Sequence, residues 1–129
     1  MTTIAHDITT TDWIALARQV GETLRADVAA RDRTGDISVA AFDLLRATGL
    51  SAALVPIEFG GGGVSHREMG EILRELGRHD PSTAVAFAMH THLVAAQVWR
   101  HNHGIDASAV FGKGAAGAVL VPALLHLCR

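Results

Sequence analysis

The stretch from Pro81 to His103 constrains the fold more than any other part of this sequence. Asp80 is a good N-cap residue, and Pro81 suits the first helical position, where a missing N–H costs nothing. From Ala84 to Met89 the residues are apolar on every side of the predicted helix. Such a helix is normally enclosed by its neighbours. We therefore expect it to be buried on most faces, at the centre of an all-α helical bundle.

A first helix is predicted near the N-terminus, capped by Thr11 or Asp12 and stopped near Gly35. Its apolar stripe recurs at spacings of three and four residues and comprises Trp13, Ala17, Val20, Leu24 and Val28. On its polar side, spacing of four residues predicts two ion pairs, Arg18–Glu22 and Asp27–Arg31.

Three more helices follow from caps and periodicity. The second is capped by Asp36 or Ser38, ends before Gly49, and has three inward-facing residues, Val39, Phe42 and Leu45. The third begins at a Ser65–Glu68 capping box and carries an apolar stripe of Met69, Ile72, Leu73 and Leu76. A short fifth helix, capped by Asp106, runs through Phe111.

Composition excludes several classes of partner. The 129 residues are 49% hydrophobic with a formal charge of -2, and no Lys/Arg cluster provides the positive face that nucleic acids require. The apolar run Ala115–Leu127 is too short to span a membrane. The N-terminus lacks the features of a secretory signal, and the single cysteine, Cys128, suits a reducing compartment. A cytoplasmic protein is expected.

The histidines do not predict a metal site. In each of His90-x-His92 and His101-x-His103 the two rings point to nearly opposite sides of the helix, and residues that share a face lie too far apart to chelate one ion. A single histidine, His92, remains a candidate proton donor in a pocket, and the alternative is a hydrogen-bonded core or interface histidine.

Neither a phosphate-binding loop nor a catalytic nucleophile is evident. The run Gly60–Gly63 lacks the flanking residues of known phosphate-binding motifs and is interpreted as a flexible connector. Ser65 is used as a cap, Cys128 lies near the terminus, and no G-x-S-x-G elbow is present. An assembled active site is not expected in this chain.

Three blocks in order nevertheless resemble one family. The connector from Thr48 to Gly63 is similar to the acyl-CoA dehydrogenase pattern G-L … V-P-x-E-Y/F-G-G-x-G. The segment from Glu75 to Ala84 resembles that family's E-L-G-R-x-D-x-S-x-A, and His90-x-His92-Leu93 is placed like its H-x-x-L region. The resemblance extends from about residue 15 to residue 113.

The resemblance implies a function for the whole family. Its members have an N-terminal helical domain, a β-rich middle domain and a C-terminal helical domain, with FAD between the last two and a carboxylate base that acts on acyl-CoA thioesters. The N-terminal domain covers one side of the acyl pocket. By position, Val85, Ala86 and Met89 would contact the substrate, with His92 beside them, and the alternative is that they are ordinary core residues.

The sequence departs from the family after about Val121. The family continues into a segment ending in G-S-D, whereas this chain continues from Pro122 to Arg129. We expect residues 1–113 to form the helical domain and residues 114–129 to be a truncated start of the middle domain or a non-native tail. FAD would then not bind to this fragment, which would be inactive alone.

Two alternatives remain open. One is a flavin-dependent monooxygenase of the same superfamily, which would favour a pocket histidine such as His90 or His92. The other is a non-catalytic helical module that binds a partner, or a second copy of itself, through an exposed apolar face.

Overall fold

The computed structural model describes residues 11–36 and 38–115. Its α-helices are α1 (Trp13–Leu24), α2 (Val28–Thr34), α3 (Val39–Ala47), α4 (His66–His79), α5 (Pro81–Asn102) and α6 (Ser108–Ala115). Short 3-10 turns occur at Arg25–Asp27, Leu50–Ala52 and Ile57–Phe59. No strand occurs in the described ranges, and the all-α prediction is confirmed. The segment of Val121 and Cys128 lies outside the described residues.

The helix starts follow from local side-chain chemistry. Asp12 accepts from the N–H of Ala15 at 2.9 Å, and Ser38 accepts from that of Ala41 at 3.0 Å. Ser65 and Asp80 cap α4 and α5 in the same way. These bonds satisfy N–H groups that have no partner within the helix. Where the sequence left two candidate caps, the structure selects Asp12 and Ser38.

The first predicted helix is divided in two. The 3-10 turn Arg25–Asp27 separates α1 from α2, and Gly35 ends α2 with a φ of 70°, which glycine adopts without strain. The last predicted helix is longer than expected, since α6 continues to Ala115. Asp106 lies before it and accepts from the N–H of Ser108 at 2.9 Å.

The core forms where α1 packs on α4 and α4 packs on α5. Gly21 permits the close approach of α1 to α4, because a Cβ there would lie 2.5 Å from Cδ2 of His79. The largest side chains in this core are almost fully buried and include Leu45, Leu50, Ile72, Leu76, Phe87 and Phe111.

Two expectations about side chains are wrong, and a third, the Asp27–Arg31 pair, is confirmed as a pair but not as a surface feature. Arg18 pairs with Glu75 of α4 at 3.0 Å instead of Glu22, because packing α1 on α4 brings that carboxylate within reach. Arg31 does pair with Asp27, but its side chain is largely buried against Asp80 rather than on the polar surface. Val39 is 54% exposed because it lies at the start of α3, away from the core.

The expectation that α5 is enclosed on most faces is also wrong. Ala84 and Phe87 are buried, but Val85 is 66% exposed and Met89 is 51% exposed. The described elements leave the side of α5 with Val85 and Met89 uncovered and contact the helix through α4, α6 and the turn Leu50–Ala52. Although α5 carries apolar residues on all sides between Ala84 and Met89, the other described helices therefore do not cover all of its sides.

The glycine run is a hydrogen-bonded turn and not a flexible connector. The N–H groups of Gly60, Gly61, Gly62 and Gly63 donate to the carbonyls of Ile57, Pro56, Ala52 and Val55 respectively, at 2.9–3.2 Å. A Cβ at Gly61 would lie 2.2 Å from the Val55 carbonyl oxygen, so the backbone comes too close for a side chain.

Candidate functional site

One side of α5 forms a continuous exposed apolar face. Val85, Met89 and Leu93 follow one another at intervals of four residues and are 66%, 51% and 44% exposed. Ala86, at the edge of this face, is half-buried. We call Val85, Ala86, Met89 and Leu93 the α5 face. Leu93 was missed in the sequence, although its spacing from Met89 puts it on the same side of the helix.

The α5 face thus brings together three of the four predicted substrate-binding residues. The fourth, His92, is exposed and lies three residues after Met89, at the edge of the face. It also lines a groove between α4 and α5 of about 260 Å³, together with His66. The position of His92 therefore connects the α5 face to this groove.

His90 is a different kind of histidine. It is buried on the opposite side of α5, and its Nε2 lies 2.8 Å from the carbonyl oxygen of Ser51. Its ring stacks on that of Phe87 with centroids 5.7 Å apart. His90 therefore ties α5 to the turn after α3. Of the two histidines considered for a pocket, only His92 is exposed.

The two histidines at the end of α5, one in its last turn and one just after it, also have local partners. His101 Nε2 lies 2.7 Å from a carboxylate oxygen of Glu58, and the ring of His103 stacks on Trp99. Within residues 11–36 and 38–115, no group of three or more His, Cys, Asp or Glu residues is arranged to hold a metal ion.

A buried ion pair holds the start of α5. Arg31 Nη2 donates to Asp80 Oδ2 at 2.7 Å, and Thr83 donates to the same carboxylate through its hydroxyl and its backbone N–H. Burial raises the pKa of Asp80, but the hydrogen bonds from Thr83 and Arg31 outweigh this effect and leave it below its ordinary value. Asp80 thus stays ionised and fixes α5 one turn before Val85.

A second charged cluster joins α1 to α4. The hydrogen bond from Arg18 lowers the pKa of Glu75, against the opposing effect of burial, and the positive charge of Arg78 adds to the lowering. Arg78 lies 3.3 Å from the other carboxylate oxygen. Both clusters hold the helices together, and none of their charged residues lines the groove.

The glycine run is not arranged as a phosphate-binding loop. The four glycine N–H groups, which resemble a phosphate cradle in sequence, all donate to backbone carbonyls of the preceding turn. An anion would have to displace these bonds to reach them. This arrangement does not fit a flavin phosphate.

No helix within the described part of the chain has both the length and the apolar character needed to cross a membrane.

Comparison with known proteins identifies the family. The model of the acyl-CoA dehydrogenase N-terminal domain matches residues 13–104. A dibenzothiophene monooxygenase of Rhodococcus erythropolis is 38% identical over 85 residues, which are 66% of this chain and 20% of that protein. A probable FMNH2-dependent monooxygenase of Pseudomonas putida is 35% identical over 85 residues, 66% of this chain and 21% of its own length.

A third relative, the L-evernosamine nitrososynthase of a Micromonospora species, is 36% identical over 81 residues, which are 60% of this chain and 19% of the relative. The chain thus spans about one fifth of the length of these proteins. No solved structure matches it significantly. Since the family model covers residues 13–104, well over half of the sequence, the chain belongs to the acyl-CoA dehydrogenase family, as its N-terminal domain.

Proposed function

We propose that this chain forms one wall of the substrate pocket of a cytoplasmic flavin-dependent oxidoreductase. Val85, Ala86 and Met89 contact the apolar part of the substrate, and His92 donates a hydrogen bond to it. The observation that carries the proposal is the exposed α5 face. Three large apolar side chains lie in solvent on a helix whose start is fixed by a buried ion pair. Contiguous exposed apolar patches often mark surfaces that bind a ligand or another part of a protein.

The first candidate reaction is oxygenation by a reduced flavin. It is supported by relatives named as monooxygenases, one of them FMNH2-dependent, and by the exposed position of His92 beside the α5 face. The second candidate is α,β-oxidation of an acyl-CoA thioester, supported by the family to which the matching model belongs. An apolar wall can contact the apolar part of the substrate in either reaction.

We further propose that residues 1–113 are the helical domain and that residues 114–129 are a truncated start of the middle domain or a non-native tail. The flavin, FAD or FMN, and the catalytic base belong to parts of the complete enzyme that this chain does not include. When bound there, the flavin supplies the redox chemistry. The purified 129-residue chain is expected to be colourless and to leave the fluorescence of added FMN and FAD unchanged. A yellow protein with stoichiometric flavin would contradict this division of roles.

A domain exchange tests the wall directly. Residues 13–104 replace the corresponding segment of the Rhodococcus erythropolis dibenzothiophene monooxygenase, and the hybrid is assayed with reduced flavin and oxygen. The same hybrid is assayed for octanoyl-CoA oxidation with a dye as electron acceptor. We expect oxygenation of dibenzothiophene and no thioester oxidation. Because the rest of the hybrid is the monooxygenase, this assay tests whether residues 13–104 serve as a pocket wall and does not decide between the two reactions.

Substitutions in the hybrid test whether the α5 face contributes more to substrate binding than other exposed parts of the surface do. Met89→Trp narrows the proposed pocket and is expected to raise KM several-fold. Val39→Trp is the matched control, because Val39 is also about half exposed but lies on α3. Equal effects of the two substitutions, or a folded hybrid without either activity, would refute the proposed wall.

A further inference from the structure

A single residue joins α4 to α5. The N–H of Asp80 donates to the Leu76 carbonyl at 2.9 Å and so ends α4, while its carboxylate accepts from the N–H of Thr83 at 3.1 Å and so begins α5. The second helix therefore leaves the first without a linker. The direction in which α5 starts depends on the conformation of Asp80.

Arg31 holds this junction from another helix. Its Nη2 donates to the carboxylate of Asp80 at 2.7 Å, and to the Leu24 carbonyl and the Asp27 carboxylate at 3.4 Å each. Leu24 is the last residue of α1, and Asp27 belongs to the 3-10 turn that separates α1 from α2. One guanidinium thus links the α1–α2 break to the α4–α5 junction.

Hydrophobic packing does not explain the position of α2. None of its residues is fully buried or belongs to the hydrophobic core. The Arg31 side chain is nevertheless only 13% exposed, because it lies against Asp80. The ion pair is therefore the contact that places α2 beside the start of α5.

A second anchor holds α5 near its middle, where Nε2 of His90 lies 2.8 Å from the Ser51 carbonyl oxygen. Val85 and Met89 lie between the two anchors. Val85 precedes His90 by five residues, about 7.5 Å along the axis, so a tilt of about 8° around His90 would displace it by about 1 Å. A gap of this size removes up to about half of the dispersion attraction of a contact.

We propose that Arg31 is a positioning residue for the substrate pocket. Through Asp80 it holds Val85, at the start of the α5 face, where the substrate is bound. Compared with apolar side chains of similar volume, a buried ion pair adds little stability, so its specific contribution here is the orientation of α5. The inference rests on the proposed function, since it requires the α5 face to contact the substrate.

The double variant Arg31→Met/Asp80→Asn tests this role because it separates stability from orientation. Asparagine also caps helices, and no buried charge is left without a partner, so the thermal midpoint should change little. In the hybrid with the Rhodococcus erythropolis dibenzothiophene monooxygenase, we expect KM to rise about threefold or more and kcat to change less than about twofold, because a displaced wall weakens binding. An unchanged KM would refute the positioning role.

The orientation of α5 is measured directly on the 129-residue chain. Residual dipolar couplings of the amide N–H groups give the angle between the α4 and α5 axes, which should change by roughly 8° in the double variant. An unchanged angle would overturn the inference alone. A changed angle, with a KM that responds neither to the double variant nor to Met89→Trp, would overturn the proposed wall and the inference with it.

The matched control is Arg46→Met/Asp43→Asn, which removes an ion pair from the exposed side of α3. It should leave the KM of the hybrid and the α4–α5 angle unchanged. Arg31→Lys keeps a positive charge beside Asp80 but not the several donors of a guanidinium, and should raise KM less than Arg31→Met/Asp80→Asn does. An equal rise of KM in the control, or a larger rise in Arg31→Lys, would contradict the proposal.

Discussion

Asp80 makes three contacts through one carboxylate and joins α5 to α2. It caps α5, binds the hydroxyl of Thr83 and pairs with Arg31 of α2, while its own side chain is 1% exposed. A buried charge is tolerated only when its partners replace the lost water. The orientation of α5, and with it the α5 face, depends on this set of contacts.

Replacing Asp80 by Asn is therefore expected to lower the free energy of unfolding by about 3 kcal/mol, because Arg31 loses its buried partner. Urea denaturation measures the change. The double variant Arg31→Met/Asp80→Asn should recover most of the loss, since no uncompensated charge remains.

The exposed pair of Asp43 and Arg46 is the control for this experiment. Asp43 is 62% exposed, so Asp43→Asn should change stability by no more than about 0.5 kcal/mol. Equal losses for Asp43→Asn and Asp80→Asn would show that burial of the Arg31 pair contributes nothing.

Acid is expected to unfold the chain through Asp80 and Glu75. Both carboxylates have a pKa below the ordinary value, which is 3.8 for Asp and 4.5 for Glu. Their stabilising contribution is complete above those values and disappears as the pH falls through the folded-state pKa. The thermal midpoint, measured from pH 7 downwards, should therefore fall below about pH 4.5, and less steeply in Asp80→Asn. A midpoint that is constant down to pH 3 would be inconsistent with ionised, paired carboxylates.

At the scale of single residues, the sequence predicts helix caps well and ion pairs poorly. Asp12, Ser38, Ser65 and Asp80 act on N–H groups three residues away, so local spacing contains the necessary information. The partner of Arg18, in contrast, lies 57 residues along the chain and is defined only once α1 packs on α4.

At the scale of elements, two glycines have opposite roles. Gly21 lies where α1 crosses α4, with no room for a methyl group beside His79, whereas Gly70 of α4 faces open space. Both are interior helical residues, and alanine is preferred over glycine there by about 1 kcal/mol. Substitutions at the two positions should therefore differ only through the packing around each glycine.

Gly21→Ala is expected to destabilise the chain by a net 1 kcal/mol or so, because the cost of overpacking, about 1–3 kcal/mol, exceeds the gain in helix propensity. Gly70→Ala should instead stabilise it by up to about 1 kcal/mol. Both values come from chemical denaturation. Equal stabilisation by both substitutions would contradict a tight α1–α4 crossing at Gly21.

Helix starts, ends and order were largely predictable from caps, glycines and periodicity. The break at Arg25–Asp27 was not, since no glycine or proline marks it. The exposure of Val85 and Met89 was not predictable either. Hydropathy identifies a surface that avoids water, but not whether the described helices or another molecule cover it.

At the scale of the whole molecule, the α5 face should cause self-association. Sedimentation velocity of the 129-residue chain is expected to show a sedimentation coefficient that rises with concentration. Met89→Glu introduces a charge into the face and should restore a monomer.

Val39→Glu is the control, because Val39 is 54% exposed outside the α5 face and its substitution should leave the association unchanged. A wild-type chain that stays monomeric at high concentration would argue against an adhesive α5 face.

The glycine run has one more consequence. Loops rich in glycine are usual places for insertions and proteolytic cuts, yet each amide from Gly60 to Gly63 is bonded to the turn before it. A Cβ at Gly62 would also strike the indole of Trp13, the first residue of α1. The segment is thus held by hydrogen bonds and packs closely against the start of α1. We expect it to resist proteolysis and to exchange its amide protons slowly.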